Sequence, residues 1–222
     1  QKNQILTVPK PNNPSFNGGE KLRYKISYGK QNRSGGILLA AYADLIVKDS
    51  IVNKSPVYLL SASGKTTAIF SLFMKVNHRY KTIIDAEKLH TIEHEMHIQE
   101  GKFFNDEHVF FNKDTALYSL KTNDILGAGY RLRTISPEKL QSQDTVFFSY
   151  YYDGEVYSSY LLNLGEEIIN TKFGKINTVK CSPLLEKGRM FKEQAGAYVW
   201  VSADKMHIPI KIELPILVGS VY

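Results

Sequence analysis

The stretch EKLRYKISYG, residues 20–29, decides the fold class of this chain. Its even positions from Leu22 to Tyr28 are apolar, whereas the odd positions from Lys21 to Ser27 are polar. Alternation with a period of two is typical of a strand with one buried face and one face in water. Because such strands belong to antiparallel sheets, the stretch predicts an antiparallel β protein.

The same alternation returns near the other end, where the even positions from Ile208 to Leu214 are apolar. Further strands are predicted between the two ends, at residues 37–47, 57–62, 79–85, 92–99, 103–111, 146–152, 155–162, 166–173, 176–181 and 197–202. Turns are predicted at residues 100–102, 153–154 and 174–175, each of which contains a glycine. The chain therefore reads as mainly β throughout.

Two segments show helical features. Residues 65–75 carry apolar side chains at helical spacing, which predicts either an amphipathic helix or a strand broken by a turn. Residues 125–133 predict a helix capped by Asn123 and Asp124, although Gly127 and Gly129 each cost about 1 kcal/mol inside a helix. A short helical turn is predicted at residues 136–138.

The chain of 222 residues shows no linker that would divide it, so we expect a single β domain at residues 20–222. Residues 1–19 are rich in Asn, Pro and Gly and predict an extended, poorly ordered arm. Such a start fits an exported protein after removal of its signal peptide, although a cytosolic chain would look the same. Cys181 is the single cysteine, which excludes an intrachain disulfide, and no apolar run reaches the roughly 20 residues of a membrane span.

The net charge of +6 invites a nucleic-acid interpretation. The basic residues are scattered over predicted strand exteriors and form no run of five or more. Solvated sheet faces explain this pattern, so we expect no nucleic-acid partner.

Two motifs resemble parts of catalytic sites. Residues 63–66, SGKT, resemble half of a phosphate-binding loop, but Leu59 stands where the full motif needs a glycine, so a plain turn is predicted. His90, Glu93 and His94 spell the HxxEH pattern of some zinc enzymes, which requires a helix. Because a strand is predicted there, we interpret these histidines as solvent-facing.

No residue pattern indicates covalent catalysis. The chain has no GxSxG motif, and Cys181 lies within an apolar predicted strand, where a small core residue is the usual interpretation. We therefore predict no catalytic residue, no metal site and no cofactor, and we expect that the protein is not an enzyme. A metal-dependent hydrolase is kept as a remote alternative.

Several landmarks occur in an order that resembles a family of exported bacterial proteins of unknown function, common in Bacteroides and described as YmcC-like. They are residues 16–24, Asp85, residues 100–103, 124–133, 167–175, 199–204, 208–209 and 218–221. The chain departs from the family at Gly127, where serine is usual, which weakens any role for a hydroxyl there. It also stops at Tyr222 before the last strand usually finishes, so we expect a few further residues.

The resemblance implies an exported, periplasmic or outer-membrane-associated protein. It also implies a strongly curved antiparallel sheet that forms an open or half-closed barrel, with one or two short helices. It implies no established activity, but curved sheets of this kind offer an apolar concavity. We expect a binding or carrier-like module whose ligand is a lipid, a glycan or a peptide.

Tyr130 and Arg133 are the candidate ligand contacts, because they lie three apart on the predicted helix and so share one face. In the alternative interpretation, Arg133 only ties the helix to the sheet through a carboxylate. A second function hypothesis is a structural component of a cell-envelope assembly that uses the tyrosine-rich hairpin at residues 146–160 to bind an envelope protein. These rings equally suit ordinary cross-strand pairs.

The last prediction concerns the C-terminal ribbon. Residues 197–202 and 208–214 should pair as an antiparallel hairpin across residues 203–207, where Asp204 and Lys205 supply the turn chemistry. The parity of the two strands places Trp200 and Ile210 on the core face. Pro209 lacks an amide hydrogen and should stand at a strand start or an unpaired edge.

Overall fold

The computed structural model describes residues 15–28, 38–111, 122–135, 145–184, 196–215 and 220–221. In chain order, strands β1 to β6 are Lys21–Tyr28, Leu38–Val52, Ser55–Thr66, Val76–Asp85, Thr91–Glu100 and Phe103–Phe110. Strand β7 (Asn123–Asp124) leads directly into helix α1 (Ile125–Leu132). Strands β8 to β13 are Thr145–Tyr152, Glu155–Thr171, Gly174–Pro183, Tyr198–Ser202, Pro209–Pro215 and Ser220–Val221.

The strands form two antiparallel meanders. In the first, each of β1 to β6 pairs with the next strand along the chain, and in the second the same holds from β8 to β12. The short strand β13 pairs with β1 on one side and with β12 on the other, and it thereby joins the two meanders into one sheet. Among the described strands, only β7 runs parallel to its neighbour, β8. The prediction of a mainly antiparallel β protein is confirmed.

Strand β6, at one end of the strand order, approaches β8, which lies next to β7 at the other end, through side chains. The Tyr151 hydroxyl donates to the Glu107 carboxylate, and Asn105 Nδ2 donates to Asp153 Oδ1 at 2.7 Å. The rings of Phe111 and Tyr151 also meet edge to face, with centroids 5.7 Å apart. Within the described ranges no backbone ladder joins β6 to β7 or to β8, so the sheet is curled but not closed.

Two turn predictions are corrected. Residues 63–66 lie inside β3, because they pair with β2 on one side and, as far as Lys65, with β4 on the other, which leaves no room for a turn. One strand prediction is corrected as well. Residues 155–162 and 166–173 are predicted as separate strands, but β9 runs through to Thr171, with a bulge beside Gly165. The turn that follows lies at residues 172–173 rather than 174–175.

Of the two alternatives for residues 65–75, the strand followed by a turn is correct. Strand β3 ends at Thr66, and the only helical part is a single 3₁₀ turn at Phe70–Leu72. The helix prediction for residues 125–133 is confirmed by α1, which Asp124 caps. The short turn predicted at residues 136–138 lies outside the described residues.

The main core lies where α1 meets the first meander. Its buried members are Phe16, Val47, Tyr58, Leu60, Ile84, Ala86 and Tyr130. Phe16 belongs to the predicted N-terminal arm but is fully buried, whereas residues 1–14 lie outside the described part. No described helix is long and apolar enough to cross a membrane.

Candidate functional site

Helix α1 is anchored at its first turn by the fully buried carboxylate of Asp124. As the N-cap residue, Asp124 accepts hydrogen bonds from the amides of Leu126 at 3.0 Å and Gly127 at 3.2 Å. It also accepts from Thr82 Oγ1 at 2.8 Å and Thr91 Oγ1 at 2.7 Å, which belong to β4 and β5. These bonds fix the start of the helix to the first meander.

Gly127 is required by the closeness of this contact. A Cβ atom at position 127 would lie 2.6 Å from Thr91 Oγ1 and 2.8 Å from Asp124 Oδ1, which is closer than atoms can pack. The low helix propensity of glycine is therefore the cost of bringing the helix close to β5.

His94 does not face solvent, and the interpretation of the HxxEH histidines as solvent-facing is wrong at this position. Its side chain is fully buried, and its Nδ1 lies 3.1 Å from Asp124 Oδ2. His94 shares the inward parity of the buried Met96 and Ile98, and a bulge between the pairs of Ile83 and Ile84 leaves Ile92 unpaired, so that Thr91 turns inward as well. His90 precedes β5, and its partial burial lowers the pKa of its ring.

At the other end of α1, Arg133 is held by a buried ion pair. Its Nη1 and Nη2 donate to the two carboxylate oxygens of Glu20 at 2.7 and 2.8 Å. Further bonds run from Nη2 to the Ser15 carbonyl at 2.8 Å and from Nε to the Met206 carbonyl at 3.1 Å. This geometry matches the alternative interpretation of the sequence, in which Arg133 ties the helix to the sheet through a carboxylate.

Tyr130 lies beside the same ion pair. The Arg133 guanidinium carbon is 5.1 Å from the centre of the Tyr130 ring, and the Tyr130 hydroxyl is 3.4 Å from Glu20 Oε1. The hydroxyl is buried, which raises its pKa, and the nearby Glu20 charge acts in the same direction. The structure thus brings both candidate residues together but buries them, and their role as ligand contacts stays a prediction.

An apolar cavity of about 400 Å³ lies between α1 and the second meander. The helix contributes Ile125, Ala128, Gly129 and Leu132, and the sheet contributes Phe148, Tyr150, Leu161, Cys181, Val199, Val201 and Ile212. Arg133 also borders the cavity, whereas Tyr130 does not. The volume falls in the range of small-molecule sites, roughly 300–1,000 Å³.

Three polar side chains around the cavity are bonded to the protein itself. His207 Nδ1 donates to the Arg133 carbonyl at 2.7 Å, and Ser159 Oγ donates to the Leu184 carbonyl at 3.0 Å. Arg133 is engaged by Glu20, as described above. The cavity therefore presents mainly carbon atoms to an occupant.

Cys181 lies on the sheet side of this cavity and is 1% exposed, as predicted for a core residue. Burial raises the pKa of its thiol to about 11, so the thiol is neutral near pH 7. A neutral, buried thiol is a poor nucleophile, so Cys181 acts here as an apolar lining residue.

On the outside of the first meander, Glu93, Glu95 and His108 bring ligand atoms within 4.8 Å of one another. These residues already pair across the strands, since His108 Nε2 is 2.7 Å from Glu93 Oε1 and Lys81 Nζ donates to Glu95 at 3.0 Å. Ordinary cross-strand charge pairing accounts for the cluster.

The aromatic side chains of the β8–β9 hairpin also pair across the strands. Tyr150 stands opposite Tyr157 with ring centroids 5.5 Å apart, and Phe147 stands opposite Tyr160 at 6.3 Å. The hairpin turns at Asp153 and Gly154 as predicted, with positive φ at both residues. Cross-strand pairs therefore explain most of the tyrosine-rich ribbon.

The C-terminal hairpin is confirmed, with β11 paired to β12 and Pro209 at the strand start. Trp200 is 3% exposed, as predicted, but it shares its face with Lys211 rather than with Ile210. A bulge after Trp200 leaves Ile210 unpaired and reverses the parity. The Trp200 ring lies between Lys180 Nζ at 4.9 Å and Lys211 Nζ at 4.6 Å, and its Nε1 donates to Glu167 at 2.8 Å.

This register decides which residues line the cavity. Val199 stands opposite Cys181 on one side and Ile212 on the other, so these three side chains share the inner face of the sheet. The sequence predicted an apolar concavity, but of the two candidate contacts only Arg133 borders the cavity, because its lining comes from six separate elements. The available signal was the apolar alternation of β9 to β12, which marks an inner face but not what covers it.

Comparisons with known proteins place the chain in a family. Among curated proteins, none matches this sequence. Among solved structures, the chain is similar to the crystal structure of a beta-barrel-like protein of the domain of unknown function DUF1849 from Brucella abortus, with 8% identity and a TM-score of 0.47 over 90% of this chain and 92% of that one. The family model of DUF3108, a protein of unknown function, matches residues 23–222. The chain therefore belongs to the DUF3108 family.

Proposed function

We propose that this protein is a non-enzymatic binding or carrier-like module that holds an apolar ligand of the acyl-chain class. The binding site is the cavity of about 400 Å³ between α1 and the inner face of β8 to β12. The single observation that supports the proposal is this cavity, whose lining is almost wholly apolar. Apolar sites with a few bonded polar groups are the usual form of small-molecule sites.

The chemistry of the lining favours an acyl chain over a glycan or a peptide. A glycan needs several free donors and acceptors, because each buried hydroxyl without a partner costs free energy. Three of the polar side chains here, Arg133, His207 and Ser159, are already bonded to other groups of the protein. An acyl chain has no hydroxyl groups along its length and needs no hydrogen-bond partner in the cavity.

Gly129 provides the test, because it lines the cavity and a Cβ atom there would meet no atom within 4 Å. Gly129→Leu adds a side chain to the lining and replaces a poor helix former, so the fold is retained or stabilised by about 1 kcal/mol. Binding of a fluorescent fatty acid, followed by fluorescence titration, should weaken at least tenfold. Urea unfolding verifies that the variant is folded.

Gly129→Ala is the matched control. It makes the same gain in helix propensity but adds only a methyl group, so it should bind the probe like the unsubstituted protein. Unchanged binding by Gly129→Leu, or an equal loss in both variants, would show that the cavity is not the binding site.

We also propose an exported location in a bacterial cell envelope, as a YmcC-like protein of a Bacteroides-type organism. The support for this is the order of sequence landmarks from residue 16 to residue 221. Fractionation of the native host tests the location, and recovery only with cytoplasmic proteins would contradict it.

A further inference from the structure

A second apolar feature lies at one end of the first meander, away from the cavity lining. The connection between β3 and β4 exposes Ile69 (68%), Leu72 (84%), Phe73 (82%) and Met74 (54%). The start of β6, next to the adjacent β5–β6 turn, exposes Phe103 (44%) and Phe104 (57%). The two turns touch, because the Gly101 amide donates to the Lys75 carbonyl at 2.7 Å. We call residues 69–74 and 103–104 the apolar tip.

The backbone of the apolar tip is held in place by hydrogen bonds. Thr66 Oγ1 accepts from the Val76 amide at 3.0 Å and bonds Ser71 Oγ at 2.8 Å, which ties the two ends of the connection together. The Thr67 amide donates to the Ala40 carbonyl at 2.8 Å. The apolar side chains therefore project from a backbone that hydrogen bonds hold in one conformation. Contiguous clusters of exposed apolar side chains mark interaction sites.

Exposed basic residues flank the apolar tip along the chain. Lys65, Lys75 and Lys102 are all exposed beside it. The nearest acidic residue on these turns, Glu100, lies with its Oε1 3.2 Å from His78 Nε2. The feature thus combines projecting apolar side chains with a positive rim.

We propose that the apolar tip inserts into the interface of an anionic lipid bilayer. The lysines at the rim complement the negative surface of such a bilayer, and the apolar side chains enter the boundary between headgroups and acyl chains. The tip is convex, with Leu72 and Phe73 standing more than four-fifths exposed. A fluid bilayer accepts such separate side chains without a shaped partner surface. This inference is independent of the cavity.

The experiment measures co-sedimentation of the full chain with vesicles of phosphatidylcholine and phosphatidylglycerol mixed two to one. The double variant Leu72→Ser/Phe73→Ser should bind at least tenfold more weakly, since two apolar insertions are lost. Lys75→Gln and Lys102→Gln should each weaken binding about fivefold, and added salt should do the same. Vesicles of phosphatidylcholine alone should bind weakly.

Phe173→Ser is the matched control, because Phe173 is 81% exposed, has a lysine beside it at position 172, and lies at the β9–β10 turn. It should bind vesicles like the unsubstituted protein. Equal binding by the Leu72→Ser/Phe73→Ser variant, or an equal loss in Phe173→Ser, would overturn the proposal. It is also overturned if sedimentation equilibrium shows a dimer that this double variant dissociates while vesicle binding is absent, because a second copy would then cover the tip.

Discussion

At the scale of single residues, the buried pair of Arg133 and Glu20 connects the end of α1 to the start of β1. Both charges are largely removed from water, with side chains 6% and 10% exposed. The bidentate geometry and the carbonyl partners of Arg133 offset the cost of burying its charge. Loss of one partner leaves the other charge buried and unpaired.

We therefore expect Arg133→Met to lower the free energy of unfolding by about 3–5 kcal/mol. The double variant Glu20→Gln/Arg133→Met should recover a large part of this loss, because no lone charge remains. Urea unfolding of the two single variants and the double variant measures the coupling. Arg23→Met is the matched control, since Arg23 pairs with Asp44 at 2.6 Å on the exposed face. The urea midpoint of this variant should be nearly the same as that of the unsubstituted protein.

The same variants test the predicted ligand contact. Should Arg133→Met unfold like the unsubstituted protein yet lose the fatty-acid probe, Arg133 would be a ligand contact rather than a tie between helix and sheet.

At the scale of elements, the β11–β12 hairpin shows how a bulge changes the environment of a side chain. Trp200 is buried on the outer face of the sheet by the stems of Lys180 and Lys211 and by its bond to Glu167. Long basic side chains can cover an aromatic ring in this way while their charges stay in water. The cavity face of the hairpin carries Val199 and Ile212 instead.

Truncation of this ring should still be costly. We expect Trp200→Ala to lower the free energy of unfolding by about 3 kcal/mol. Because Trp200 points away from the cavity, binding of the fatty-acid probe by the folded variant should be unchanged. Probe titration below the unfolding midpoint checks this, and a large loss of affinity would place Trp200 on the ligand side.

At the scale of the whole molecule, burial of tyrosine hydroxyls makes the free energy of unfolding depend on pH in the alkaline range. Burial raises the pKa of Tyr24, Tyr58 and Tyr151 to about 12, above the value near 10 of an unfolded chain. A raised pKa in the folded state means that the folded protein favours the neutral phenol. This contribution to stability is complete below pH about 10 and is lost as the pH rises towards about 12.

Tyr58→Phe is the sharpest test of this linkage. Tyr58 is fully buried, and its hydroxyl has no hydrogen-bond partner among the described residues. The variant should equal or exceed the unsubstituted protein in stability at pH 7. Its loss of unfolding free energy between pH about 10 and about 12 should be smaller by about 2 kcal/mol, as one buried phenol is gone. Urea unfolding across this pH range measures it, and identical pH profiles would contradict the linkage.

The amino-acid sequence by itself determined the antiparallel β class, most of the strands, the capped helix α1 and the pairing of β11 with β12. These features depend on local patterns: alternation of apolar residues, Asp124 before a helical run, and glycines at tight turns. Each pattern lies within about ten residues, so it acts whatever the rest of the chain does.

Only the tertiary structure decided where bulges change the buried face of a strand and where a ligand could lie. Bulges beside Ile92 and Ile210 shift the register, which turned Thr91 inward towards Asp124 and turned Trp200 away from Ile210. Arg133 meets a carboxylate 113 residues away, and the cavity joins residues from α1 to β12. Such contacts depend on how the sheet curls and on which elements cover it, and these are set by packing between distant segments rather than by any local pattern.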